Sequence, residues 1–150
     1  MDKLELIPFK AEHLLVVECR DYQGMNTYED MIMKEKHGPA LTLTINGSIV
    51  GCVGILIWHG TGIAWAVFSQ KVFTKPKWVV QTVRNLLRDS IRNFKLHRVE
   101  MVILRSSETN IRWAEYLGFT REKDAIARRY TPTKDDVLRY EFVDDRMINE

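Results

Sequence analysis

Apolar and polar residues follow strand or helix spacing along most of the chain. The opening LELIPF alternates like a short strand, and MNTYEDMIMKEKH predicts a helix that Asn26 or Thr27 caps and Gly38-Pro39 ends. Between them, KAEHLLVVECRDY predicts another helix. Its broad apolar face would comprise Leu14, Leu15, Val17 and Cys19.

The middle of the chain predicts three strands joined by tight turns. ALTLTINGSIVGCVGILIW contains an alternating strand, an Asn46-Gly47 pair typical of a type I′ hairpin turn, and a long apolar strand. His59-Gly60-Thr61-Gly62 provides the next turn, and IAWAVFS the next antiparallel strand.

A long amphipathic helix is predicted after this strand. Thr74 can cap it, Pro76 lies in its first turn, and it reaches about residue 95. Arg84, Arg88 and Arg92 recur every four residues and share its polar face. Its apolar face comprises Val79, Val80, Val83, Leu86, Leu87, Ile91 and Phe94.

The last part of the chain adds a buried strand, RVEMVIL, and a short helix, TNIRWAEYL, that Gly118 ends. RRYTPTKDDVLRYEFV then predicts two strands around a turn at Pro132 to Asp135. The predicted order of elements is therefore βααβββαβαββ. Because no linker or repeat interrupts it, residues 1–150 are expected to form one domain.

Composition agrees with this expectation and narrows the chemistry. A chain of 150 residues with 45% apolar content suits a single compact core. Cys19 and Cys52 have no metal-site spacing, so both are expected to be buried reduced thiols, and the four histidines are scattered. No metal site is expected. The sequence also lacks a long apolar run and a secretory signal, which predicts a cytoplasmic protein without a membrane partner.

The net charge of +2 is unevenly distributed. Residues 70–98 contain eight Lys or Arg against the single Asp89, which gives +7 there and −5 elsewhere. Lys71, Lys75 and Lys77 surround the predicted helix start, where positive charge is unfavourable unless an anion is bound. The segment suggests an anionic ligand or partner, although a solvated helix face is the commoner cause of such a charge stripe. Nucleic acid is not the expected one, because no recognition motif accompanies the arginine face.

The order of elements and one segment resemble a known superfamily. SETNIRWAEYLGF, residues 107–119, is similar to the Asn-x-x-Ser/Ala…Glu-x-Leu-Gly-Phe segment that follows the fifth strand of the GCN5-related N-acetyltransferases (GNAT). More narrowly, IAWAVFSQKVF, NIRW…LG and RRYTPTKDDVLRYEF resemble acetyltransferase-like proteins encoded among the virion genes of short-tailed phages. The resemblance implies an α/β (α+β) fold. Its central mixed, mostly antiparallel sheet would have about seven strands with about four helices, and strands 4 and 5 would be splayed.

The resemblance also implies acetyl-CoA between strands 4 and 5, with its pyrophosphate on the amides of a Gln/Arg-x-x-Gly-x-Gly/Ala loop. The equivalents here are Gln70, Phe73 and Lys75 or, in a register moved by two, Val72, Lys75 and Lys77; neither register contains a glycine. Either the lysines hold the phosphates, or the pocket is lost and the basic surface serves another anion. The implied cofactor-binding residues are Phe68, Gln70, Phe73, Thr74, Lys75, Lys77, Ser107 and Asn110.

Catalytic groups are harder to assign. The fourth strand, GIAWAVFS, lacks the glutamate that many family members use as a base, and Ala114 takes the place of the usual tyrosine acid. Ser107 and Tyr116 are the catalytic candidates. However, Ser107 or Thr109 can equally cap a helix, and Tyr116 can be a packing aromatic. Core packing is expected for the four tryptophans, Trp58, Trp65, Trp78 and Trp113. For Trp78, which lies beside Lys75 and Lys77, a role in stacking on an adenine ring is also open.

Two functions stay open at this point. One is an acetyl-CoA-dependent N-acetyltransferase-like protein that acts on an amine of a protein or small molecule. The other is a catalytically inactive pseudoenzyme that serves as a binding or phage assembly factor. Phage or host proteins are possible partners of either, and the host cytoplasm is the expected location if the gene is a phage gene.

Overall fold

A computed structural model describes residues 1–19 and 25–143. Within these residues, seven strands form one sheet in the order β1-β2-β3-β4-β5-β7-β6. The strands are β1 (Leu4–Pro8), β2 (Ala40–Ile45), β3 (Ser48–Trp58), β4 (Thr61–Phe68), β5 (Arg98–Leu104), β6 (Thr120–Ala127) and β7 (Val137–Phe142). The α-helices are α1 (Tyr28–Lys36), α2 (Pro76–Phe94) and α3 (Glu108–Tyr116), and two 3-10 helices span Ala11–Leu15 and Gln70–Thr74.

Strands β2, β3 and β4 form an antiparallel meander, as the sequence predicts. Asn46 and Gly47 both have positive φ, 52° and 81°, which matches the predicted type I′ turn. His59 and Gly60 repeat this backbone with φ of 46° and 83°. The turn residues thus set the register of both hairpins.

Strands β4 and β5 are parallel neighbours that pair at one end only. Residues 61–63 pair with residues 98–100. Beyond them, β4 stays with β3 as far as Phe68, whereas β5 stays with β7 as far as Leu104. The two strands therefore diverge into a V, which confirms the predicted splay.

Helix α2 packs its apolar face on the sheet. Val79, Leu87 and Ile91 are buried, whereas the side chains of the arginine face lie outside. One predicted member of the apolar face differs, because Phe94 in the last turn is 49% exposed. The helix ends at the next residue, Lys95, whose left-handed backbone has a φ of 51°.

Two helix predictions need correction. The first predicted helix is instead a short 3-10 helix, followed by irregular chain to residue 19, and residues 20–22 lie outside the described residues. Only Leu14 and Val17, three residues apart, are buried, whereas Leu15 is 72% exposed, so no broad helix face contacts the core. Thr74 does not cap α2 either. Its hydroxyl donates to the carbonyl oxygen of Lys71 at 2.7 Å instead.

The strand predicted over RRYT is also wrong. Strand β6 ends earlier, and residues 128–136 form the turn. The buried Thr131 hydroxyl accepts a hydrogen bond from the amide of Asp135 at 2.9 Å, and Arg129 and Lys134 have positive φ. Because these local bonds satisfy the backbone within the turn, the segment does not extend along β7.

Candidate functional site

A cleft of ≈ 690 Å³ opens where β4 and β5 separate. Its walls are largely apolar. From β3, β4 and β5 they include Val53, Gly54, Ile55, Ala64, Trp65, Ala66, Phe68, Met101, Val102, Ile103 and Leu104. From α2 and α3 they include Pro76, Val83, Leu86, Leu87, Thr109, Asn110, Trp113 and Ala114, with Ser107 just before α3 and Leu117 just after it.

The β4 wall offers an open strand edge to a ligand. Within the described residues, no strand pairs with the β5-facing edge of β4 beyond Ile63. Ala64 and Ala66, both half-buried, line the cleft on this strand and leave room beside the backbone. An extended ligand that carries amide groups can therefore hydrogen-bond to this edge as an added strand would.

Three aromatic rings stand where α2 begins. Phe73 meets Phe68 edge to face at 6.5 Å between ring centroids and meets Trp113 of α3 at 5.9 Å. The 3-10 helix before α2 fixes this arrangement, since the Ser69 hydroxyl caps it by accepting from the amide of Lys71 at 3.2 Å. Phe73 thus joins the start of α2 to α3.

The structure brings five of the eight sequence-predicted cofactor residues to the cleft. They are Phe68, Gln70, Phe73, Ser107 and Asn110. The other three, Thr74, Lys75 and Lys77, do not line it. Their placement as cofactor ligands stays a prediction.

Lys75 is engaged elsewhere in the fold. Its ammonium lies 3.2 Å from the carboxylate of Asp2. The pKa of Asp2 is lowered, first by a hydrogen bond from the Asn46 side chain and then by Lys75. An anion at the start of α2 would therefore compete with a carboxylate already present.

The start of α2 has few free amide donors. Pro76 occupies its first turn without an N–H, and the amides of Lys75 and Val79 donate to the carbonyls of Val72 and Lys75. By helix geometry, Lys77 and the next residue supply the remaining first-turn amides of this described helix.

Ser107 acts as a helix cap in this structure. Its hydroxyl accepts from the amide of Asn110 at 3.4 Å, which is the N-cap arrangement of α3. The helix ends at Gly118, whose φ of 99° suits glycine. Asn110 is half-buried in the cleft wall, one turn inside the helix.

Tyr116, the second catalytic candidate, lies outside the cleft. Its side chain is 64% exposed, and the guanidinium of Arg84 sits 4.7 Å from its ring centroid. Arg84 also donates to the Tyr116 carbonyl oxygen at 3.3 Å. Ala114, two residues earlier, is buried and lines the cleft instead.

The tryptophans divide between wall and surface. Trp65 is buried in the cleft wall, and its indole Nε1–H is the one buried side-chain polar atom in the described chain without a hydrogen-bond partner. Trp78 and Trp113 are half-buried, as core packing predicts. Trp58 corrects that expectation, because it is 71% exposed; it ends β3 at the hairpin and packs edge to face on His59.

The described lining residues include no carboxylate, imidazole or amine. The polar groups are Gln70, Ser107, Thr109 and Asn110 near the helix starts, with Cys19 elsewhere in the wall. Such a site can bind and orient an apolar, extended ligand, but its side chains offer no strong base. Among the described residues, no group of three or more His, Cys, Asp or Glu could hold a metal ion.

Sequence reasoning missed part of this site. Trp113 is predicted to pack in the core, and Ala64 and Ala66 are not among the predicted site residues, although all three line the cleft. Two alanines on one face of an otherwise bulky strand were the available signal, because small side chains mark places where another group approaches the backbone.

Among the helices of the described residues, none combines the length and the apolar character of a membrane span.

Comparison with solved structures shows a consistent fold. The ribosomal-protein-S18-alanine N-acetyltransferase from Escherichia coli matches with a TM-score of 0.71 at 12% identity, over 94% of each chain. A GNAT-family acetyltransferase from Streptococcus pneumoniae matches with a TM-score of 0.69 at 15% identity, over 94% of this chain and 99% of that one. A chimeric spermidine N-acetyltransferase from Vibrio cholerae matches with a TM-score of 0.72 at 12% identity, over 98% and 99%.

No protein-family model matches the chain, and no curated protein matches it in sequence. At these identities the similarity is one of fold. The sheet order, the splay of β4 and β5 and the cleft between them agree with it. The chain therefore has the fold of the GNAT acetyltransferases.

Proposed function

We propose that this chain is an acetyl-CoA-dependent N-acetyltransferase-like protein that acts on an amine of a protein or small molecule. The observation that carries the proposal is the apolar cleft along the open edge of β4. It lies within the roughly 300–1,000 Å³ range of pockets that enclose small ligands.

The cleft fits the pantetheine arm of the cofactor. The edge of β4 supplies backbone groups for the amides of the arm, and the apolar walls suit its methylene and methyl groups. The side chain of Asn110 adds a polar contact near the start of α3. When bound, acetyl-CoA would supply the thioester whose acetyl group is transferred, while the residues of this chain orient it and exclude water.

The acceptor would be an amine that arrives already neutral. Since the described lining has no carboxylate or imidazole to remove its proton, the amine would lose that proton to solvent before it enters the cleft. Transfer should therefore rise with pH up to the pKa of the acceptor. The structural neighbours include proteins named for a ribosomal-protein alanine and for spermidine, so both protein and polyamine acceptors belong in a first panel.

A catalytically inactive protein for binding or phage assembly is the alternative. Phe73 in place of the loop glycine and the lack of a base in the described lining support it. It predicts that the fold survives without acetyl transfer.

Two measurements distinguish the enzyme from the inactive alternative. The first is calorimetric titration of the chain with labelled acetyl-CoA. The second is transfer of the label to polyamines, amino acids and peptides. Ala66→Phe would fill the cleft, whereas Ile63→Phe on the same strand would place the same ring at an exposed position. If Ala66→Phe abolishes acetyl transfer and Ile63→Phe retains it, the result supports an enzyme that uses this cleft. Absence of both binding and transfer at millimolar acetyl-CoA would reject the enzyme and leave the inactive alternative.

A further inference from the structure

We propose that the cleft recognises its thioester ligand through the pantetheine arm rather than through the nucleotide diphosphate. This inference rests on the proposed function and specifies which part of the ligand the chain binds. The reason is that the residues at the start of α2 do not fit a diphosphate, whereas the cleft fits the pantetheine arm.

The first point concerns backbone access at the loop. A diphosphate grip needs backbone amides that phosphate oxygens can approach, which is why glycine suits such loops. Here Phe73 projects a ring toward Phe68 and Trp113 and lines the cleft. In the alternative register, Lys75 and Lys77 take the glycine positions. The amide of Lys75 already donates to the Val72 carbonyl oxygen at 3.0 Å, so it is not free for a phosphate. Neither register places a glycine in this loop.

The second point concerns the donors near the loop. The Thr74 hydroxyl donates to a backbone carbonyl, the Lys75 ammonium pairs with Asp2, and Pro76 has no amide hydrogen. Lys71 and Lys77 are exposed and do not line the cleft. The side chains that would hold phosphates are therefore either occupied within the fold or exposed outside the cleft. By helix geometry, only the amides of Lys77 and the next residue remain in the first turn.

The third point concerns the arm itself. Beyond the aromatic rings, the cleft continues between the open edge of β4 and the residues of β5, and α2 and α3 close it with apolar side chains. Ser107 and Asn110 place polar groups at one side of this space. Affinity should then depend on apolar burial and amide hydrogen bonds, neither of which is strongly screened by salt.

Calorimetric titration of the whole chain with S-acetylpantetheine and with acetyl-CoA tests the inference. Each titration is run at about 50 mM and at about 500 mM salt, so that the ionic strength differs tenfold. The two dissociation constants should agree within about threefold and change little with salt. Acetyl-CoA that binds more than about thirtyfold tighter and weakens strongly with salt would overturn it. If neither ligand binds, the proposed function fails; if only acetyl-CoA binds, the function stands and the inference fails.

A loop variant provides an independent readout. Phe73→Gly should open the backbone and strengthen acetyl-CoA binding relative to S-acetylpantetheine binding by about tenfold. Phe68→Leu is the matched control, because it removes a ring contact with Phe73 but leaves the loop residue in place. Equal changes for both ligands in Phe73→Gly would contradict the role assigned to this side chain. Thermal unfolding of each variant checks that it is folded, and the salt comparison on the unmodified chain does not depend on them.

Discussion

Trp65 on β4 lies over Gly54, its register partner on β3, so closely that a Cβ at residue 54 would come within 2.6 Å of the indole. Gly54→Ala should force the ring or the strand to shift. We expect a loss of about 1–3 kcal/mol in the free energy of unfolding, as measured by urea denaturation.

A double-mutant cycle provides the control for this prediction. In a Trp65→Ala background the added methyl group has space, so Gly54→Ala should cost much less than in the parent chain. An equal cost in both backgrounds would show that the contact with the indole is not the cause.

Cys52 should make stability depend on alkaline pH. Burial raises the pKa of its thiol to about 11 from an ordinary value of 9.0. The unfolded chain loses this proton near pH 9, whereas the folded chain keeps it to about 11. The contribution is therefore complete below pH 9 and lost as the pH rises to 11, by about 2–3 kcal/mol at roughly 1.4 kcal/mol per pH unit.

The measurement is the difference in unfolding free energy between the parent and Cys52→Ala at pH 8 and pH 11, about the two ends of this transition. Other groups that titrate in this range are present in both proteins and cancel. The difference should shrink on going to the higher pH. A constant difference would contradict the assigned effect of burial.

Ser107 should behave as a helix cap. Ser107→Ala removes the acceptor for the Asn110 amide and is expected to cost about 1 kcal/mol of stability. Ser107→Asp, which restores a capping oxygen, should recover most of it. If ligand binding falls equally in the alanine and aspartate variants while stability recovers in the second, the hydroxyl itself contacts the ligand.

Arg98 holds three carboxylates of neighbouring strands together. Its guanidinium contacts Glu100, Glu122 and Glu141, which come from β5, β6 and β7. Arg98→Met leaves these partly buried carboxylates to repel one another, so we expect a loss of about 2–4 kcal/mol in urea unfolding at pH 7.

A second arginine beside one of these carboxylates tests whether the loss caused by Arg98→Met is specific. Arg139→Met is the matched control, because Arg139 contacts Glu122 alone among these carboxylates, at 3.5 Å, and is half exposed. A similar loss in both variants would argue against the three-carboxylate cluster as the source.

Local chemistry made much of the fold predictable. The Asn46-Gly47 turn, the cap at Thr27 and the stop at Gly118 depend on residues within a few positions, and all three occur. The short 3-10 helix at the start was misread as an α-helix, because only tertiary contact shows that Leu15 faces solvent.

The site was less predictable, because its decisive contacts join distant parts of the chain. The sequence places Phe73 in the loop but cannot show that its ring packs against Trp113. Nor does it show that Lys75 pairs with Asp2 rather than with a ligand. Pairings of this kind are set by the assembled sheet, and no local pattern encodes them.

The short junction between β4 and β5 has a mechanical consequence. It links two half-sheets, β1–β4 and β5–β7, that are each continuously hydrogen-bonded. The angle between these halves sets the width of the cleft, because among the described residues only three pairs join β4 to β5. A ligand bound in the cleft would contact both half-sheets and hold them at one angle. Amide hydrogen exchange should then slow on both sides of the junction together.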